Sequence, residues 1–227
     1  AYMRVKSPLL TLMASPSKEI SFAVLKHIEL MVQKQPGIFD DAFKQFYCHL
    51  NDPSSVKYVK LEILPLLAND GNTTEILAEL SEYVTDVSAE LAKRAVRAIG
   101  KIAIRLPSAA DAVMNQLMEY LELDVENVRS DGLVMIRQLL MKFPERAGDI
   151  IPILPGCFAR TTEPEGKAAG VWIFGEFGQI FEKAPYILEP LIDNVVAEAP
   201  EVRMQVLVAT AKLFFKRAPE VRDMFSR

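Results

Sequence analysis

Cys48 and His49 are adjacent in the sequence, and their side chains could carry out nucleophilic chemistry. A thiol beside an imidazole can become an activated nucleophile when an acid orients the base. Neighbouring residues on a helix point about 100° apart, however, and no relay of nucleophile and acid surrounds His49 or His27. We therefore interpret Cys48 as a core cysteine and predict no catalytic residue.

A glycine-rich segment, Gly170–Gly178, contains a second candidate, the acidic residue Glu176. The segment lacks the Lys-Ser/Thr pair and the preceding strand of a phosphate-binding loop. Because Gly170 and Gly178 are eight residues apart, we predict that they share a helix face and allow close helix packing. Glu176 could be a buried acid with a raised pKa. A hydrogen-bonded structural carboxylate is preferred, since no second carboxylate follows one helical turn later.

The sequence shows no pattern of metal ligands. Cys48 and Cys157 are far apart and outside any CxxC spacing, and Asp40 and Asp41 have no metal-binding spacing to His or Cys. We predict no metal, no cofactor and no disulfide framework, which fits a reducing compartment.

A row of basic residues gives a candidate binding surface. Lys93, Arg97, Lys101 and Arg105 recur every four residues, with Arg94 beside them, so one helix should carry a basic stripe. Lys93, Arg94, Arg97 and Lys101 could contact acidic lipid headgroups or an acidic partner. The alternative, which such stripes more often follow, is a face that is solvated or paired within the chain.

Composition limits the class of protein. The chain has 227 residues, half of them hydrophobic, and a formal net charge of −4. A core can be buried, whereas no basic field is available to bind nucleic acid. The apolar runs are shorter than the ~20 residues that span a bilayer, and the N-terminus does not resemble a signal peptide. We expect a cytosolic chain that is a piece of a longer one.

Proline positions reveal an internal repeat. One set precedes long helical patterns, where the missing N–H does no harm: Pro16, Pro53, Pro164 and Pro200. A second set is predicted to close helices: Pro36, Pro107, Pro144, Pro185 and Pro219. Both sets give a period of roughly 35 to 40 residues, which is typical of helical repeats.

Between the prolines, apolar residues recur at helical spacing and no segment alternates as a strand does. Asn72, with Glu75 three residues later, resembles a capping box at a helix start. In the long helix that follows Val125, Arg129 is expected on the polar face. The prediction is an all-α fold, an α-solenoid of HEAT/armadillo-like repeats, with 1–227 forming a single stack of about five to six helix pairs.

Two segments, Ile76–Tyr83 and Lys93–Gly100, resemble the middle of the large β chain of adaptor-protein complexes, the β-adaptins of vesicle coats. Other segments resemble the same family in the same order: Asn51–Pro53, Val59–Leu61, Glu163–Pro164, Lys167–Ala169, Trp172–Ile173, Gly175–Glu176 and Lys212–Phe214. The resemblance covers almost the whole chain. It implies the middle to C-terminal part of the family's trunk domain, without the earliest trunk repeats, the hinge or the appendage.

The resemblance implies a non-enzymatic scaffold in intracellular protein transport. In this family the β trunk packs with a second large chain, a medium chain and a small chain, and the assembly sorts membrane cargo. Membrane association would be indirect, and clathrin would bind only through regions absent here. The expected location is cytoplasmic and peripheral, on coated vesicles of the Golgi, endosomes or plasma membrane. The expected transport processes include endocytosis.

The resemblance also implies two contact residues. In the closed form of such complexes the β trunk covers the medium chain's pocket for tyrosine-based sorting signals, and Val87 and Asn127 would face that pocket. Val87 fits the family pattern, whereas Asn127 stands where an aromatic residue is expected. The loop after Leu67 and the helical Gly132 also depart from the pattern, so the subtype stays open.

Other functions remain as alternatives. A coatomer large subunit shares the ancestry and the solenoid, and a regulatory HEAT scaffold would bind a phosphatase or a transport receptor. An enzyme would need a site that these residues do not form. Since a solenoid fragment exposes layers that its neighbours normally cover, we expect some self-association.

Overall fold

The structure is a computed structural model that describes residues 2–216. Pro219, predicted to close the last helix, lies outside these residues. Within them there are twelve α-helices and no strand, which confirms the all-α prediction. The helices are α1 (Tyr2–Met13), α2 (Lys18–Lys34), α3 (Ser54–Leu67), α4 (Thr73–Val84), α5 (Ala89–Arg105), α6 (Ala110–Glu122), α7 (Glu126–Lys142), α8 (Ala147–Ile150), α9 (Leu154–Ala159), α10 (Pro164–Glu176), α11 (Ala184–Asp193) and α12 (Pro200–Lys216).

The chain divides into two compact units, Ala1–Val113 and Met114–Arg227, and α6 contains the boundary. In the first unit α1 packs on α2, α2 on α3, and both α3 and α4 on α5. In the second unit α10 packs on α7 and α12. Within each unit, long helices about one repeat apart therefore lie side by side, with shorter helices between them in sequence. The single stack over 1–227 stays a prediction.

Helix α5 shows why these segments pack as they do. Its buried residues fall on one face and most of them are small, so a neighbouring backbone can approach closely: Leu91, Ala92, Ala95, Val96, Ala98, Ile99, Gly100, Ile102 and Ala103. The Ser88 hydroxyl accepts a hydrogen bond from the N–H of Leu91 and caps the first turn. The Ser17 hydroxyl does the same for Ile20 at the start of α2.

The two sets of prolines behave differently. Pro164 and Pro200 are the first residues of α10 and α12, as predicted. Pro107 and Pro144 follow the ends of α5 and α7 and begin short 3₁₀ turns. The prediction is wrong for Pro185, which lies in the first turn of α11 because a proline is tolerated where the N–H has no intrahelical acceptor.

The capping box predicted at Asn72 is also wrong. Asn72 precedes α4, but its side chain makes no capping hydrogen bond to that helix. Its Oδ1 accepts from the N–H of Asn69, and its Nδ2 donates to the carbonyl of Leu67. The buried amide thus holds the turn between α3 and α4, an alternative that is available to any Asn in a loop.

Candidate interaction surfaces

The basic stripe on α5 lies beside α3 and is partly neutralised by it. The Arg94 guanidinium donates to Glu90 at 2.6 Å, lies 3.8 Å from Glu62, and stacks 4.3 Å from the ring centre of Tyr58. Lys101 pairs with Glu62 as well. Arg94 and Lys101 therefore have partners within the chain, which favours the paired-face alternative for these two residues.

The other basic residues of the stripe are less available to a partner than their spacing in the sequence suggested. Arg105 donates from Nη1 to the carbonyl oxygen of Pro65 at 2.6 Å, so its guanidinium is hydrogen-bonded to the C-terminal end of α3. Lys93 and Arg97 are half-buried on the same helix. A contact between this stripe and a partner or lipid stays a prediction.

Val87 is a fully exposed apolar side chain in the turn between α4 and α5. The residue before it, Asp86, accepts from the N–H of Ser88, and Ser88 in turn caps α5. These hydrogen bonds fix the turn that presents Val87 to solvent. Asn127 is the second residue of α7 and is partly exposed. Their contact with a medium chain stays a prediction.

The Cys48–His49 pair does not form a nucleophilic site. Cys48 Sγ lies 3.8 Å from the carbonyl oxygen of Lys57, and burial raises the pKa of this thiol to about 11. The backbone N–H of His49 donates to the carboxylate of Asp52. Cys48 is only partly buried, whereas Cys157 is fully buried, which raises the pKa of the Cys157 thiol to about 12. Both thiols are therefore in their poorly reactive, protonated form at neutral pH.

Glu176 is a structural carboxylate. It accepts a hydrogen bond from Lys212 Nζ at 2.5 Å, and this bond, in spite of partial burial, holds the pKa of Glu176 below its ordinary value. A carboxyl group that acts as a general acid at neutral pH needs a raised pKa, so this lowered pKa argues against such a role for Glu176. The ion pair joins the end of α10 to α12, and Lys212 also lies 5.6 Å from the ring centre of Trp172.

The glycines of this segment allow close packing, as predicted, but they do not share one face. A Cβ on Gly170 would meet the ring of Phe158 in α9, whereas one on Gly178 would meet Leu213 in α12. A Cβ on Gly175 would meet the backbone of Ala209. Gly170 and Gly175 therefore allow α10 to pack closely on α9 and α12, whereas Gly178 lies beyond the end of α10 and so cannot share a helix face with Gly170.

Arg129 is buried, so the prediction of a polar-face position is wrong. Its side chain is only 4% exposed. The guanidinium donates to the carboxylate of Glu126 and to the carbonyl oxygens of Leu123 and Arg160, at 2.5, 3.1 and 3.0 Å. The acceptors that make its burial possible come partly from a segment 31 residues away in sequence.

Glu126, whose side chain is 30% exposed, completes the cluster around Arg129. Its Oε1 accepts from the backbone N–H groups of Thr162 and Glu163, at 2.6 and 2.8 Å, just before α10. Burial acts to raise the pKa of Glu126, but these two N–H groups and the Arg129 guanidinium outweigh it, and the pKa lies below its ordinary value. One carboxylate thus links the first turn of α7 to the segment just before α10.

We expect acid to remove the contribution of Glu126 to stability. Because the folded carboxyl has the lower pKa, this contribution is complete above the ordinary pKa of about 4.5 and is lost as the pH falls through the folded value. Glu126→Gln should therefore lower the free energy of unfolding by about 1 kcal/mol at neutral pH and by much less at about pH 3. Urea titrations at the two pH values measure this difference.

The control for that experiment is Glu90→Gln, which removes an exposed carboxylate that pairs with Arg94 one turn away. Such an exposed pair contributes about 0.3–0.5 kcal/mol, so a small effect is expected. An equal loss for Glu126→Gln at both pH values would contradict the assignment.

The part of the chain that the structure describes contains no cluster of His, Cys, Asp or Glu that could hold a metal ion. None of its helices combines the length and the apolar composition needed to cross a bilayer. Its contacts between neighbouring helices are packing and ion-pair contacts, and they define an all-α protein of the helical-repeat, or α-solenoid, class.

Comparison with known proteins then gives the family. A family profile described as "Adaptin N terminal region" matches residues 1–226. The chain belongs to this adaptin family. It is 44% identical over 223 residues to Beta-adaptin-like protein A of Arabidopsis thaliana, covering 97% of this chain and 26% of that protein. It is 37% identical over 226 residues to AP-4 complex subunit beta-1 of Mus musculus, covering 99% and 30%.

A comparison of structures agrees with this family. In a homology model of the full-length AP-3 complex in an intermediate open conformation, one chain matches with a TM-score of 0.78 and 25% identity, over 98% of this chain and 38% of that one. This match confirms the predicted helical-repeat fold class.

The chain spans about a quarter of the length of the curated relatives named above. The match places it in the N-terminal region of the adaptins. This coarser placement replaces our narrower expectation of the middle to C-terminal part of the trunk.

Proposed function

We propose that this chain is part of a scaffold subunit of a heterotetrameric vesicle-coat adaptor complex, and that it acts in cargo sorting by binding other adaptor subunits rather than by catalysis. The observation that carries the proposal is the match of residues 1–226 to the adaptin N-terminal region. The relatives' names support it, since they include beta subunits of the AP-1 and AP-4 complexes.

The partners we propose are a second large chain, a medium chain and a small chain. Val87 supports a contact with the medium chain, because an exposed apolar side chain held in a well-bonded turn suits a protein interface. Asn127, partly exposed at the start of α7, is proposed as the second contact. Lys93, Arg94, Arg97 and Lys101 are proposed to contact an acidic partner surface or lipid headgroups.

We further propose a cytoplasmic, peripheral location on coated vesicles of the Golgi, endosomes or plasma membrane. The chain would associate with the membrane indirectly, as part of the assembled complex. Clathrin would bind, if the complex uses it, through other regions of the full-length protein.

Affinity purification of the full-length parent protein from its own cells, followed by mass spectrometry, tests the proposal. We expect a second adaptin-like large chain, a medium chain and a small chain to co-purify in equal amounts. An untagged parallel purification is the control. Recovery of coatomer subunits, a phosphatase or a transport receptor in their place would overturn the function and leave the fold intact.

A further inference from the structure

A cleft of about 470 Å³ opens in the first unit, between the start of α2 and the segment that leads into α3. We call it the α2–α3 cleft. Its volume falls within the range of ligand sites, about 300–1,000 Å³. Three lysines, one aspartate and several apolar groups line it, among them Lys18, Lys44, Lys60, Asp52, Met13 and Val56.

Lys60 is the buried charge of the cleft. Its side chain is 5% exposed, and its Nζ donates to the carboxylate of Asp52 at 2.7 Å and to the carbonyl oxygen of Tyr47 at 2.8 Å. A primary ammonium has three N–H donors, so these two bonds leave one donor for a ligand in the cleft.

The charge of the cleft is positive. Asp52 is ionised, because hydrogen bonds from Lys60 and from the N–H of His49 outweigh the effect of burial and hold its pKa below the ordinary value. Lys18 lies 3.4 Å from the same carboxylate and is 45% exposed. Lys44 is paired with Glu75 at 2.6 Å. Lys18 and Lys60 against Asp52 therefore leave an excess of one positive charge in the cleft, which favours an anionic ligand.

A second recess shares the side chain of Lys18 with the cleft. It has a volume of about 390 Å³ and is lined by Lys18, Glu19, Phe22, Pro53 and Ser55. Phe22 is partly exposed there and offers an apolar surface. Two recesses that share Lys18 are longer than a single phosphate needs, and they suit an extended chain with one acidic and one apolar side chain.

We propose that the α2–α3 cleft binds a short acidic segment of a partner protein, whose carboxylate contacts Lys18 and Lys60 while neighbouring apolar side chains contact Met13, Val56 or Phe22. A bilayer is disfavoured as the anionic partner, because its surface is broad and Lys60 is almost completely buried. This inference does not depend on the proposed assembly with other adaptor subunits.

The test uses the 227-residue chain and an immobilised library of octapeptides with two central glutamates flanked by Leu, Ile, Val or Phe. The same library with glutamine in place of glutamate is measured in parallel. We expect the best glutamate peptides to bind about tenfold more tightly than their glutamine counterparts, and added salt to weaken them.

Lys18→Ala should weaken this binding about tenfold, since it removes one charge-assisted contact. The matched control is Lys26→Ala, because Lys26 is on the same helix, is 48% exposed and pairs with Glu29 away from the cleft. Its effect should be less than twofold. Lys60→Met, checked for folding by circular dichroism, is a second test of the buried charge.

Three outcomes would overturn the proposal. One is equal binding of glutamate and glutamine peptides, which includes the absence of binding by both. A second is unchanged peptide binding by Lys18→Ala. The third is that vesicles containing phosphatidylserine bind the chain through Lys18 while the peptides do not, which would assign the cleft to a lipid headgroup.

Discussion

Gly175→Ala is expected to lower the free energy of unfolding by about 2 kcal/mol, although alanine is the better helix former. A Cβ at Gly175 would lie 2.6 Å from both Cα and Cβ of Ala209 in α12. Because the neighbour is backbone, relief requires α10 and α12 to move apart, and this costs about 3 kcal/mol against a gain in helix propensity of about 1. Urea unfolding followed by circular dichroism measures the difference.

The matched control is Gly148→Ala in α8. No heavy atom lies within 4 Å of the Cβ position at Gly148, so helix propensity alone should act there. We expect this variant to be more stable than the parent by about 0.5 kcal/mol. If both substitutions changed stability in the same direction and by the same amount, close packing at Gly175 would be refuted.

Arg129→Met is expected to lower the free energy of unfolding by about 2–3 kcal/mol. The substitution keeps most of the apolar stem but leaves the carbonyl oxygens of Leu123 and Arg160 without this donor. Glu126 would also lose its charged partner. Arg129→Lys should cost about 1–2 kcal/mol, because a single ammonium cannot reach the three acceptors that the planar guanidinium bridges.

For this experiment Arg146→Met is the control. Arg146 pairs with Asp149 three residues away, and both side chains have considerable exposure, so its removal should cost no more than about 0.5 kcal/mol. A loss at Arg129 as small as that at Arg146 would mean that the cluster around Arg129 contributes no more than a surface ion pair.

The sequence was sufficient to predict where several long helices begin, because proline restricts backbone geometry locally. Pro164 and Pro200 mark helix starts in the sequence and in the structure. The same local rule failed at Pro185, since a proline is equally compatible with the first turn of a helix and with the region after its end.

The buried charged groups could not be predicted in the same way. The acceptor of Arg129 at residue 160 is separated from it by 31 residues, and the periodicity of α7 carries no information about that contact. The sequence signal that was available is Glu126 placed three residues before Arg129, a spacing at which the two side chains meet on a helix.

The candidate surfaces also differ in whether they could be predicted from local sequence spacing. The basic stripe was visible as a spacing of four residues on one helix, whereas its pairing with Tyr58 and Glu62 depends on how α5 packs against α3. The α2–α3 cleft was not predicted at all, because Lys18, Lys44 and Lys60 lie on three different elements and come together only through packing.

The hydrogen bonds that join segments about one repeat apart have one further consequence, for the order of folding. Those of Lys101 with Glu62, Glu126 with Thr162 and Lys212 with Glu176 join residues 39, 36 and 36 positions apart. Each bond therefore closes a loop of similar length, and the loop-closure entropy, which grows with the logarithm of loop length, is about the same each time. A helix can dock on its predecessor once about one repeat of chain has left the ribosome, without waiting for the rest of the chain.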